Sequence, residues 1–393
     1  MQVLRLGDHG SAVAEIRALL AGRGLLVDAS ASNGSHASSL PAQTSSAQSP
    51  WSPPDAVFDE ACDRAVRAFQ QERGLIVDGI VGYATYTALR EASYRLGARI
   101  LLYRLAAPMT GDDVATLQSR LQNLGYYHGL VDGIFGDVTH TALGSYQTEY
   151  GLQSDGICGP STLRSLERLG TRVTGGSPHA IREEEYVRKS GPQLTGKRIL
   201  IDPGDEAPIG DENAILWDLA ARLEGRMSAA GMETFLSHDA KTVPTDDDRI
   251  RVANLADVDL MISLRTGHYA NEKANGVAGF YFGTTHGSYS TIGRNLAGYI
   301  QREIVARTGM LDCRTHARTW NILRSTRMPV VVIEAGYITN TRDADALSNP
   351  DVRDTIAEAV LVAVKRLYLM GENDRPTGTY TFAELLEAEH VTG

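Results

Sequence analysis

The feature that most constrains this chain of 393 residues is a repeat in its first half. Phe69-Gln70, Gly74-Leu75, Asp78-Gly79, Gly82 and Thr85 recur as Tyr146-Gln147, Gly151-Leu152, Asp155-Gly156, Gly159 and Thr162, at a constant offset of 77 residues. Upstream, Val13, Ile16, Leu20 and Gly24 match Val114, Leu117, Leu121 and Gly125 at an offset of 101. The 24 extra residues of the first copy map to a Ser-, Ala- and Pro-rich stretch at about 28–56. That composition cannot bury a core, and it predicts a disordered loop.

Each copy has a legible plan. Val114, Leu117 and Leu121 share one helix face, as do Ala142, Leu143 and Tyr146. Gly125 stands where a helix C-cap needs positive φ, and the Asp-Gly pairs supply turns. Thr85 and Thr162 are candidate N-caps for the last helix. The expectation is a small three-helix bundle used twice, over 1–95 (with its insertion) and 96–170. Residues 171–196 are weakly patterned and read as a linker with a short helix at 181–189.

The two runs GLIVDGIVGYAT and GLQSDGICGPST resemble the peptidoglycan-binding type 1 repeat, G-L-x-x-D-G-x-x-G-x-x-T. The resemblance implies a peptidoglycan or muropeptide ligand. The motif residues are mostly turns and core, so a repeat that only packs and makes protein contacts fits them equally well.

From residue 196 the pattern changes. Strands are expected at 197–202, 233–236, 259–264, 279–282 and 329–334, and helices at 212–230, 248–256, 289–306 and 352–368. This alternation predicts an α/β domain over 197–370, its mainly parallel sheet flanked by helices and its site at the carboxyl ends of the strands.

Three separated segments of that domain, ILIDPG, RVANLADVDLMISL and RSTRMPVVVIEAGYITNTRDADAL, resemble the zinc-dependent N-acetylmuramoyl-L-alanine amidase (amidase 3) family in the family's order. The resemblance implies a zinc ion held by a His after D-P-G, a Glu opening the next helix and a His after the I-S-I strand, with a late Glu activating the bound water. Carried onto this sequence, the first His position holds Asp205, the first Glu is Glu212, the second His position holds Arg265, and the late Glu is Glu334. Two of three ligands are missing and one replacement is cationic, whereas a catalytic zinc needs about three protein ligands plus an open water position. Zinc is therefore expected to be lost, leaving Glu212 and Glu334 as vestiges. Arg265 is expected to pair with Glu212, Glu334 or Asp205, because a guanidinium suits carboxylates and stays charged. A rebuilt site would have to recruit His268 or His238, although a lone His near a strand end is more often a packing or loop residue. His286 reads as a loop residue.

The formal net charge of −10 argues against a nucleic-acid surface, and no apolar run reaches the length of a membrane span. The first twenty residues lack the pattern of a signal peptide, and Cys62, Cys158 and Cys313 are few and far apart. A cytoplasmic location is the simplest expectation.

The order of repeats, linker and amidase-like domain, with the GGSPHAIREEE linker and the ending NDRPTGTYTFAELL, resembles an actinobacterial group of degenerate amidase relatives. That resemblance implies a regulator that activates the UDP-N-acetylglucosamine enolpyruvyl transferase under control of a Ser/Thr protein kinase. In the tail, 371–393, Thr377, Thr379 and Thr381 are the phosphorylation candidates, and Phe382, Leu385 and Leu386 form an apolar stripe suited to a partner groove. Three classes stay open on the residues alone: regulator, active zinc amidase, and non-catalytic peptidoglycan binder.

Overall fold

The computed structural model describes residues 3–26, 56–168, 178–204, 211–269, 271–284, 288–369, 377–378 and 380–391. All but the last residue of the insertion expected at 28–56 lies outside the described residues, as do Asp205, His286 and Thr379. The chain divides into two units, 1–175 and 176–393.

In the first unit, α1 (Ser11–Gly22), α2 (Glu60–Arg73) and α3 (Tyr83–Ser93) form one bundle, and α4 (Asp112–Asn123), α5 (Asp137–Glu149) and α6 (Pro160–Arg168) form a second. The helix faces expected from spacing are the interior ones. Val13, Ile16 and Leu20 meet Phe58, Val66 and Phe69, while Val114, Leu117 and Leu121 meet Phe135, Leu143 and Tyr146. Asp112 joins the bundles through Arg73 at 2.6 Å and Arg23 at 3.6 Å.

Buried glutamines hold the turns. Gln147 Nε2 donates to Asp155 Oδ1 (2.9 Å), the Ile157 carbonyl (3.0 Å) and Thr162 Oγ1 (3.0 Å), and its Oε1 accepts from the Gly156 N–H (2.7 Å). Gln70 makes the same four bonds to Asp78, Ile80, Thr85 and Gly79. The expected capping role of Thr85 and Thr162 is thereby corrected. Gly82 is the N-cap of α3, and both threonines are buried inside the bundles as acceptors for a glutamine. Gln118 repeats the arrangement with Asp132, Ile134, Thr139 and Gly133. The Asp-Gly-x-x-Gly-x-x-Thr run thus occurs a third time, between α4 and α5. At the matching place in the first bundle stands Arg17, which reaches the Val57 carbonyl (3.1 Å) and Asp59 (3.0 Å) instead.

The second unit runs α7 (Pro178–Lys189), β1 (Arg198–Pro203), α8 (Glu212–Ala229), β2 (Glu233–Leu236), α9 (Asp246–Ala256), β3 (Leu260–Gly267), β4 (Val277–Phe282), α10 (Thr291–Thr308), β5 (Asp312–Arg318), α11 (Asn321–Arg324), β6 (Val330–Tyr337), α12 (Thr341–Ser348), α13 (Pro350–Tyr368) and α14 (Phe382–Val391). The sheet order is β2-β1-β3-β6-β4-β5. Strands β2, β1, β3 and β6 are parallel, whereas β4 is antiparallel to β6 and β5 is parallel to β4. The link from β3 to β4 is too short for the crossover that a parallel strand needs, so β4 runs back from the carboxyl edge. Ile199, Ile201, Ile262, Val331 and Ile333 bury one sheet face against Leu216 and Leu219 of α8, Leu296 and Ile300 of α10, and Val360 and Val364 of α13. Among the described residues, no helix is long and apolar enough to cross a membrane.

The apolar stripe of the tail meets its own chain: α14 rests on α13, with Leu385 buried and Phe382 packed against the α/β core.

Replacing Gln118 by Leu removes a buried amide from the turn and leaves the buried Gly133 N–H unanswered, while the Ile134 carbonyl keeps the Gly136 N–H (2.9 Å). At about 1–3 kcal/mol for one stranded buried donor, urea unfolding should show a loss of about 1–3 kcal/mol. Gln71→Leu, at an exposed position, should change stability by less than about 0.5 kcal/mol.

Candidate functional site

The carboxyl edge of β1, β3 and β6 is organised by one buried carboxylate. Asp202, near the end of β1, has no solvent exposure. It accepts from Ser263 Oγ on β3 (2.7 Å), from Ser237 Oγ just past β2 (2.5 Å), and from the buried Arg249 guanidinium on α9. Ser237 spends its single hydroxyl proton on Asp202, so His238 Nδ1, 2.7 Å away, donates to the Ser237 oxygen. The His238 ring lies edge-on to Trp217. Burial, and then the Arg249 charge, hold the His238 pKa below its usual value of 6.5.

From this brace the contacts run outward along β3. Arg265 Nε donates to Ser263 Oγ (3.2 Å), and its Nη2 reaches Asp246 Oδ1 in the first turn of α9 (2.8 Å). Asp246 is a partner that the sequence reading did not name. Of the three carboxylates expected for Arg265, Asp205 lies outside the described residues, and Glu334 stands opposite Arg265 in the β3–β6 register. The third, Glu212, opens α8 with no exposure; it accepts from Thr266 Oγ1 and sits 2.8 Å from His268 Nε2. A register shift between Arg265 and Gly267 re-aims the strand end, as β-bulges do. His268 is therefore brought onto Glu212, where sequence reasoning favoured a loop role.

Glu334, near the end of β6, takes a hydrogen bond from Tyr337 and feels the charge of Arg318. Burial, and then the Glu334 carboxylate, push the Tyr337 hydroxyl up to about 12, so it remains a donor.

The zinc ion implied by the resemblance does not fit these donors. Among the described residues there is no group of three or more His, Cys, Asp or Glu placed to hold a metal. Glu212 and His268 are hydrogen-bonded to each other, Asp246 is salt-bridged, and Asp202 is saturated by Ser237, Ser263 and Arg249.

Thr377 and Thr381 of the tail lie elsewhere. Thr377 Oγ1 is 3.4 Å from Arg366, and the Gly378 N–H donates to buried Glu303 (3.1 Å), which also accepts from Arg307 and Arg366. Arg307 in turn donates to the Tyr380 carbonyl at 2.8 Å. Thr381 and Glu384 exchange bonds across the first turn of α14, as a capping box.

Two helical bundles with glutamine-braced turns, followed by a mostly parallel α/β unit with acidic residues at its carboxyl edge, give the architecture that the two resemblances imply. Comparison with known proteins agrees. The family described as N-acetylmuramoyl-L-alanine amidase matches residues 199–366, and the peptidoglycan binding domain family matches 44–89 and 110–166. The N-acetylmuramoyl-L-alanine amidase CwlM of Mycobacterium tuberculosis is 58% identical over 98% of this chain and 94% of its own length. The N-acetylmuramoyl-L-alanine amidase LytC of Bacillus subtilis is 28% identical over 42% of this chain and 34% of its own. A spore cortex-lytic enzyme of Halalkalibacterium halodurans is 48% identical over 15% of this chain and 18% of its own. This chain belongs to the N-acetylmuramoyl-L-alanine amidase family, in the arrangement that places peptidoglycan binding domains ahead of the amidase domain.

Two outcomes follow from the brace. Asp202→Asn leaves Arg249 as a buried, underpaired cation and should cost about 3–5 kcal/mol in chemical denaturation. As the pH falls past about 6.5, the unfolded chain takes up a proton at His238 that the folded chain refuses. The stability tied to neutral His238 is therefore present above that value and lost below it. The melting temperature should drop between pH 7.5 and 5.5 in the native chain and drop less in His238→Asn.

Proposed function

We propose that this chain is a catalytically inactive amidase relative that regulates peptidoglycan synthesis from the cytoplasm, activating the UDP-N-acetylglucosamine enolpyruvyl transferase under Ser/Thr kinase control. The observation that carries the inactive part is the engagement of the catalytic positions: Arg265 is tied to Asp246 and Ser263, and Glu212 to Thr266 and His268. Without a metal to acidify water, Glu334 has no low-pKa nucleophile to activate. The regulatory part rests on likeness along the whole chain to an actinobacterial relative and on the tail. A phosphate on Thr377 would add roughly −1.5 to −2 charge beside Arg366 and near Glu303, and so would disturb the contacts that seat Thr377, Gly378 and Tyr380 on α10 and α13.

A second reading concerns the repeats. Between α3 and the segment leading to α4 lies an open cleft of 310 Å³ lined by Tyr86, Arg90, Tyr94, Arg104 and Met109. The Arg90 guanidinium is held by the hydroxyls of Tyr86 and Tyr94. Aromatic faces for sugar rings and guanidiniums for stem-peptide carboxylates suit a muropeptide, which such a regulator would sense.

Reconstitution tests the first reading. Purified transferase should turn over about fivefold faster or more, the low end of a typical coupling, with kinase-treated chain than with untreated chain. The gain should vanish for the Thr377→Ala, Thr379→Ala, Thr381→Ala triple variant. An unchanged transferase rate in every arm would defeat the proposal. For the second reading, Arg90→Ala with Arg104→Ala should weaken muropeptide binding about tenfold in calorimetry, and unchanged affinity would refute it.

A further inference from the structure

The amidase-type centre uses the carboxyl edge of the sheet. At the opposite edge, where β3 and β6 begin, a cavity of 360 Å³ lies beneath α7. That volume falls within the range of small-molecule sites, roughly 300–1,000 Å³. The helix walls it because two of its side chains are anchored. Glu183 accepts from Ser290 Oγ (3.0 Å) and the Ile292 N–H (3.2 Å) at the start of α10, and the Tyr186 hydroxyl donates to Asp259 (2.5 Å).

Charge matching around the cavity is uneven. Each carboxylate on the wall is committed: Glu183 caps α10, Asp259 also takes the Arg198 N–H (2.7 Å), and Asp257 meets the Arg198 guanidinium (3.3 Å). The Asn254 amide is spent on the Ser325 carbonyl and the Arg327 N–H. Arg182 and Arg327 are different. Both are exposed, both line the cavity, and neither guanidinium forms an ion pair among the described residues. The rest of the lining is apolar, with Val258, Leu260, Met328, Pro329 and the ring of Tyr368.

We infer that this cavity is a second ligand site, for a small amphiphilic anion whose phosphate or carboxylate is taken by Arg182 and Arg327 while an apolar or planar body lies on the Met328–Tyr368 surface. A guanidinium presents a planar fork of donors that matches either headgroup. A lone inorganic anion would leave the apolar surface uncovered, and a neutral apolar molecule would leave both guanidiniums unanswered. Because α7 supplies Arg182 and one wall, occupancy would also hold the segment before the α/β unit against the sheet. The site shares no residue with the carboxyl edge, so it stands or falls independently of the regulatory reading.

The test is calorimetric titration of the full chain with phenyl phosphate, benzoate and inorganic phosphate, alongside an Arg182→Ala, Arg327→Ala double variant whose unfolding midpoint is checked against the native chain. One saturable site for an aryl anion is expected, the tighter of the two naming the headgroup. Inorganic phosphate should bind about tenfold more weakly or worse, and the double variant should lose about tenfold in affinity. No saturable binding of either aryl anion, equal affinity for inorganic phosphate, or an unchanged affinity in the double variant would each overturn the inference.

Discussion

A carboxylate without solvent must be answered by donors, because its desolvation costs several kcal/mol. Asp202 recruits those donors from three other parts of the α/β unit: Ser237 beyond β2, Arg249 on α9 and Ser263 on β3. The brace fixes the register of the parallel strands at their carboxyl edge and draws α9 onto them. Once α9 is placed, Asp246 in its first turn is within reach of Arg265, while Ser263 holds the same guanidinium from the strand side. The pairing of Arg265, at the position where the resemblance places a metal ligand, thus follows from a structural brace.

The first unit follows the same rule with neutral groups. Each of Gln70, Gln118 and Gln147 is buried and answers four polar groups of an Asp-Gly turn with one amide. Fully satisfied buried polar networks specify a single arrangement, and half-satisfied ones are costly. This explains why the glutamine, the aspartate, the glycine and the threonine keep fixed spacing in both copies while the surface between them varies.

Much of this was legible in the sequence. The two bundles, the strands β1, β3 and β6, and the position of Glu212 and Glu334 at element ends follow from spacing and apolar runs. The third turn of the Gln118 type escaped because its counterpart in the first bundle is built with Arg17 and Asp59, so comparing the copies at a fixed offset does not reveal it. Strand β5 escaped because an edge strand carrying Asp312, Arg314, His316 and Arg318 reads as polar loop. Asp246 stands in a run of three aspartates that looks like a solvated helix start, and only the fold shows that Asp246 meets Arg265, Asp247 meets Asn321 and Asp248 caps the helix. His268 depends on a register shift in β3, which has no local signature in the residues. The tail stripe was visible, but not that Leu385 and Phe382 would find their groove on the chain's own α/β core.

The proposed inactivity requires that the carboxyl edge does not bind zinc. The most direct measurement is elemental analysis of the full chain after equilibration with excess zinc and removal of free metal. The account predicts far less than one zinc per chain, with no difference between the native chain and a Glu212→Ala, His268→Ala double variant. One zinc per chain that disappears in that variant would contradict it, since Glu212 and His268 would then be ligands of a rebuilt site and not partners of each other.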